Sequence, residues 1–133
     1  MAIKLLYVVI GGGLGSLFRY LLSGVIQKQS SSLFPYGTLA VNLIGALVIG
    51  FLWELFQNIT VPSNIRVFIF MGILGGFTTF STFSLETFNL IKDKQYMVAL
   101  INVVVSNVFC IILVFAGSIT VKFLIKLLHK GNL

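Results

Sequence analysis

Charge is scarce in this sequence, and acidic charge most of all. Its 133 residues hold three Asp and Glu against nine Lys and Arg; charged residues make up 9% of the chain and apolar ones 58%. Together with a mean hydropathy of +1.08, this composition excludes an ordinary water-soluble domain and describes an integral membrane protein. Apart from Arg19, the basic residues lie in or beside loops and tails, so the net charge of +6 reads as membrane flanks and not as a nucleic-acid footprint. Cysteine and histidine are nearly missing as well. A lone cysteine, Cys110, excludes an intrachain disulfide. The lone histidine, His129, sits in the basic tail, which leaves the serines without a buried base and the chain without a metal-ligand cluster. An intramembrane hydrolase therefore has little support.

Proline is confined to Pro35 and Pro62, both between apolar runs. A bilayer crossing needs about 20 apolar residues, and the sequence supplies such runs at 5–26, 38–56, 66–88 and 97–127. The fold class expected is an all-α membrane protein, a single four-helix transmembrane domain over residues 1–133. Lys4 before the first run could suggest a signal peptide. No small-x-small site closes that run, however, and the apolar pattern continues past Arg19, so it is expected to remain as a mature helix.

With both termini on one side, the basic flanks are Lys4, Arg66, Lys122, Lys126 and Lys130 against Lys28, Lys92 and Lys94, a weak bias that permits insertion in both orientations. A solid four-helix bundle has little room for a pathway, so a transporting assembly would be an oligomer. Gly11, Gly12, Gly13 and Gly15 in the first run, and Gly45, Ala46 and Gly50 in the second, permit close helix approach either between subunits or within one.

The most informative stretch is Gly75-Gly-Phe-Thr-Thr-Phe-Ser-Thr-Phe-Ser-Leu-Glu86. Hydroxyls at bilayer depth are tolerated only where they find partners or line a polar cavity, and this run carries Thr78, Thr79, Ser81, Thr82 and Ser84. Gly75 and Gly76 should weaken or break the third helix and allow a fresh start at Thr78 or Thr79, where a hydroxyl can cap. Such a break frees carbonyls suited to a bare cation and creates a helix N-terminus suited to an anion. The plainer alternative is a hydrated packing kink. Phe77, Phe80 and Phe83 recur at i, i+3 along one face, and a phenyl ring offers a positive edge to an anion while resisting bulk water.

Polar residues elsewhere support the same reading. Asn42 lies midway along the second run, and Asn102, Ser106 and Cys110 form an i, i+4, i+8 stripe on the fourth. Amide and hydroxyl donors are what a small, strongly hydrated anion requires in exchange for its water, although Asn and Ser also serve as interhelical glue. Arg19 either snorkels to the interface or lines a vestibule that attracts anions. Glu86, about two turns past the break, is either a proton or gating group or a residue near the aqueous mouth.

Gly12-Gly-Leu-Gly-Ser-Leu-Phe-Arg19-Tyr20, Gly37-Thr-Leu-Ala-Val-Asn42-Leu-Ile-Gly45 and the Gly75–Glu86 run, in this order and at this length, resemble the CrcB/Fluc family of fluoride channels. The resemblance implies an antiparallel, dual-topology homodimer, with two pores and a central structural Na⁺ where the two third helices, broken at midplane, cross. It implies Na⁺ ligands at the backbone carbonyls of Gly75 and Thr78. It further implies pore roles for Phe80, Phe83, Asn42 and Glu86, with Thr38, Ser81, Thr82 and Ser84 as further polar contacts and Ser106 on the fourth-span track. That track begins with tyrosine in some members and with Asn102 here. A single-length chain of this kind implies a prokaryotic plasma membrane, and passive export of cytoplasmic F⁻ that confers fluoride resistance. The rival is a small proton-coupled multidrug exporter of the four-span, dual-topology type. It needs an acid deep in the first span, where this chain has Arg19 and no acid. A noncatalytic scaffold subunit would account for the glycines but not for the buried hydroxyl and phenyl run.

Overall fold

The computed structural model describes residues 2–130; the side chains of His129 and Lys130, in the basic tail, lie outside the described residues. The chain order is α1 (Ala2–Lys28), α2 (Tyr36–Asn58), α3 (Ser63–Arg66), a π-helix (Val67–Leu74), α4 (Gly75–Phe77), α5 (Phe80–Lys92) and α6 (Tyr96–Lys130). Among the described residues, four stretches are long and apolar enough to cross a membrane: Ala2–Lys28, Tyr36–Asn58, Ser63–Lys92 and Tyr96–Leu128. Each extends beyond the apolar run read from the sequence, because the helical ladder continues into polar flanks such as Lys28, Asn58 and Lys92.

The connections are short and tied down by side chains. Pro35 precedes α2 and no side chain at that position caps it. Gln27, from the last turn of α1, does so instead: its Oε1 accepts the Gly37 N–H at 3.0 Å and its Nε2 donates to the Phe34 carbonyl at 3.2 Å. An orphan donor of the α2 N-terminus is thus satisfied by the neighbouring helix. Pro62 precedes Ser63 at the start of the third span, a place where its missing N–H costs nothing. Arg66 donates to the Phe56 carbonyl and lies over the Phe56 ring, 5.7 Å from its centroid, which closes the α2–α3 turn.

α2 packs along α6, and α1 packs along the π-helix and α4. Glycine makes the second of these possible. A Cβ on Gly11 would fall 2.9 Å from the Cα of Gly72, and Gly15 and Gly76 are equally crowded by the opposing backbone. Gly11 faces Gly72, Gly15 lies against the backbone of Ile73 and Phe77, and Gly76 lies against that of Gly12 and Ser16, so small residues on both helices bring the backbones together within one subunit. Gly12 lends its backbone to this seam, its Cα 3.1 Å from a Cβ on Gly76, although a Cβ on Gly12 itself would meet nothing within 4 Å; a Cβ on Gly13 likewise meets nothing. On α2, Gly50 lies against the backbone of Val114 and Gly45 against the Thr78 side chain.

The π-helix has no counterpart in the sequence reading. Its i→i+5 geometry widens the turn, and it is held to α2 by Phe70, whose ring meets Trp53 and Phe56 edge-on at 5.7 and 5.6 Å. Gly75 and Gly76, where the sequence suggests a weakened helix, are themselves helical. The residues that leave the helix are Thr78 (φ −85°, ψ 156°) and Thr79 (φ −151°, ψ 114°), and α5 begins at Phe80. β-Branched side chains accept that extended backbone readily.

Candidate functional site

Asn42 of α2 reaches the extended pair directly. Its Oδ1 accepts the Thr79 N–H at 2.8 Å and its Nδ2 donates to the Thr79 carbonyl at 3.1 Å. A backbone N–H can only donate and a carbonyl only accept, so this clip fixes the amide orientation and leaves one Nδ2 hydrogen for another acceptor. Thr79 then caps α5: its Oγ1 accepts the Thr82 N–H at 3.2 Å, donates to Thr82 Oγ1 at 3.0 Å and lies 3.3 Å from Ser81 Oγ.

These bonds divert the donors that a continuous helix would send to two carbonyls. The N–H four residues beyond Gly75 is that of Thr79, which is given to Asn42. The N–H four residues beyond Thr78 is that of Thr82, which is given to the Thr79 hydroxyl. Gly75 and Thr78 are the two positions whose carbonyls the family resemblance marks as Na⁺ ligands. The Thr78 side chain donates to the Leu74 carbonyl at 3.0 Å, which leaves its own carbonyl unaffected.

A cavity of about 360 Å³ opens beside the clip, lined by Asn42, Thr78, Thr79, Phe80, Phe83 and Ser106 among others. Phe80 and Phe83 stand 5.2 Å apart at a tilt of 45°. Phe83 is buried, whereas Phe80 is 72% exposed in the single subunit. Cys110, the last member of the α6 stripe, also borders this cavity.

A second, polar cavity of about 240 Å³ is lined by Arg19, Tyr20, Ser23, Thr38 and Thr82, and shares Thr79 as a wall with the first. Among the described residues the Arg19 guanidinium has no carboxylate partner; the one ion pair joins Lys122 to Glu54 at 3.7 Å. Thr38 donates to Glu86 Oε1 at 2.7 Å, and the other carboxylate oxygen, Oε2, is buried without a hydrogen-bond partner among the described residues.

Asn42, Thr78, Phe80, Phe83 and Ser106 therefore meet at one cavity, and Arg19, Thr38 and Thr82 at the other. Ser81 and Ser84 are exposed and line neither, and Ser84 is spent on the Phe80 carbonyl at 2.9 Å. Thr87 escaped the sequence reading. It accepts from the buried Asn102 at 3.0 Å, a contact between α5 and α6 that no local spacing announces.

With this geometry established, sequence comparison decides the family. The family described as "CrcB-like protein, Camphor Resistance (CrcB)" matches residues 6–118. The chain belongs to the CrcB family. Its relatives include the "Fluoride-specific ion channel FluC" of Citrifermentans bemidjiense, 45% identical over 120 residues, covering 90% of this chain and 97% of that protein. The protein of the same name from Parabacteroides distasonis is 41% identical over 126 residues, covering 95% and 98% of the two chains. That of Pelobacter propionicus is 46% identical over 117 residues, covering 87% and 88%. These CrcB relatives are named as ion channels and not as enzymes. With its membrane-length helices, this CrcB chain is a multi-pass membrane protein.

Proposed function

We propose that this chain is a fluoride-selective channel that passively exports cytoplasmic F⁻ across a prokaryotic plasma membrane. Fluoride enters cells as neutral HF, loses its proton in the near-neutral cytoplasm and leaves as F⁻ down its gradient, which confers resistance. The single observation that carries this reading is the cavity shared by Asn42, Phe80, Phe83 and Ser106 at the start of α5. Amide and hydroxyl donors there replace water around a small anion, and ring edges with a positive fringe admit it while excluding bulk solvent. The names of the CrcB relatives support the same ion.

The functional unit is an antiparallel, dual-topology homodimer with two pores. Thr78 and Thr79 separate Ser63–Phe77 from Phe80–Lys92, which supports a third span broken near the bilayer midplane. At the crossing of two such spans, the carbonyls of Gly75 and Thr78 from each subunit hold a structural Na⁺. The diverted N–H groups of Thr79 and Thr82 support this, since they leave hard oxygen donors of the kind that unwound helices offer to Na⁺. Arg19, beside Thr38 and Thr82, draws anions into a vestibule, and Glu86, which accepts from Thr38, completes its polar surroundings.

Fluoride efflux from liposomes containing the purified protein, read with a fluoride electrode in the presence of a potassium ionophore, tests the proposal. Fast fluoride release with negligible chloride release is expected. Absence of fluoride release from folded protein in Na⁺, or export of an organic cation with proton exchange, overturns it.

A further inference from the structure

Ser106 borders the cavity, yet its hydroxyl proton does not point freely into it. Ser106 Oγ donates to Asn102 Oδ1 at 3.3 Å, one helical turn earlier on α6. Asn102 is 1% exposed and lines neither cavity. Its Nδ2 donates to Thr87 Oγ1 at 3.0 Å, and Thr87 in turn donates to the Phe83 carbonyl at 2.8 Å. Every donor in this chain runs the same way, from Ser106 through Asn102 and Thr87 to the backbone of a cavity-lining phenylalanine.

Direction matters in such a chain. The Phe83 carbonyl can only accept, so the Thr87 proton is committed to it, which leaves a Thr87 lone pair for the Asn102 amide N–H. With its N–H held there, Asn102 must turn its oxygen to Ser106. A buried side-chain network of this kind, each member satisfied, fixes one arrangement and resists others. Without the amide oxygen, the Ser106 hydroxyl would fall back on the carbonyl four residues earlier on its own helix, as serine commonly does in helices.

We infer that Asn102, anchored by Thr87, is a positioning residue: it holds the Ser106 hydroxyl at the cavity wall in the orientation from which its proton passes from the amide oxygen to fluoride. The inference rests on the proposed pore role of Ser106. It assigns Asn102 no contact with the ion. A passing anion competes with the Asn102 oxygen for one proton, so the hydroxyl binds without trapping, a requirement for conduction.

Liposome fluoride efflux tests this through a double-mutant cycle with Asn102→Ala, Ser106→Ala and the double variant, together with Thr87→Val and Thr87→Ser. The loss of one oriented hydrogen bond corresponds to an efflux slowed about fivefold, expected for Asn102→Ala, Thr87→Val and Ser106→Ala. Thr87→Ser, which keeps the hydroxyl, should conduct like the parent. In the Ser106→Ala background, Asn102→Ala should add nothing further, a result that a merely structural Asn102 would not give. Independent, multiplying losses overturn the inference, as does parent-like efflux in Thr87→Val. Should Asn102→Ala fail to fold, the nearly isosteric Thr87→Val, alone and combined with Ser106→Ala, decides the matter by the same criterion. Parent-like efflux in Ser106→Ala removes the pore role of Ser106 and the inference with it, whereas no fluoride efflux from the parent protein removes the channel reading itself.

Discussion

The amide of Asn42 closes on both backbone groups of Thr79, accepting at 2.8 Å and donating at 3.1 Å. It takes the place of the missing helical turn. A residue expected from the sequence to offer donors to an anion thus also holds the backbone from which the cavity is built.

Asn42→Leu should therefore unfold more readily than the parent as well as conduct less. It strands the N–H and the carbonyl of Thr79, a cost of about 2–4 kcal/mol if each unsatisfied group loses 1–2. Asn42→Asp keeps an acceptor for the Thr79 N–H and should recover part of that stability but not the fluoride efflux. Thermal unfolding in detergent, measured beside liposome efflux, checks both.

Phe80→Ile and Phe83→Ile should lower fluoride efflux while leaving the proposed homodimer intact on size-exclusion chromatography. Phe80 is 72% exposed in the subunit, so its substitution should leave thermal stability nearly unchanged. Buried Phe83 should lose about 1–2 kcal/mol, a partial version of the cost of removing a core phenylalanine. Unchanged efflux in both variants would rule out ring edges as part of the path.

Replacing Na⁺ by a large organic cation throughout purification and assay should abolish efflux and lower the unfolding temperature, and added Na⁺ should restore both. Binding that follows Na⁺ concentration raises stability with the logarithm of its free concentration. A flat response would rule out the proposed Na⁺ site at the carbonyls of Gly75 and Thr78.

The α1 seam gives a contrast within one helix. Gly11→Val should destabilise strongly, by about 3 kcal/mol or more, through overpacking against Gly72. Gly13→Ala, whose new methyl meets nothing within 4 Å, should not destabilise at all. Thermal unfolding of the two variants side by side checks the assignment of the seam to one subunit.

Much of this was legible beforehand, since apolar runs of membrane length and a cluster of hydroxyls and rings depend on composition and local spacing alone. Asn42, the Phe77, Phe80 and Phe83 face and the Asn102, Ser106 and Cys110 stripe could be named from their chemistry, and the family resemblance narrowed these to Asn42, Phe80, Phe83 and Ser106. A hydroxyl cap at Thr78 or Thr79 was legible too, and Thr79 supplies it, but the break itself was expected at the glycines. Gly75 and Gly76 have the lower helix propensity, yet they remain helical, because the exit is set by Asn42, 37 residues away from Thr79. Glycine at 72 and 76 is used for close packing against α1. Thr87 stayed hidden for a similar reason: one threonine on an amphipathic turn has no meaning until Asn102 arrives from α6. The π-helix leaves no local mark either, being a property of how Val67–Leu74 fits against α1 and α2.

That eight-residue π-helix also bears on how the third span tolerates changes of length. Each i→i+5 turn accommodates one more residue than an i→i+4 turn does. Removal of one residue between Val67 and Leu74 can therefore be absorbed by reversion to ordinary helix, with Gly75 to Glu86 kept in phase. The same deletion after Phe80 would rotate Phe83, Glu86 and Thr87 away from their partners. Within the third span, the wide turns are a reserve of slack ahead of a segment that has none.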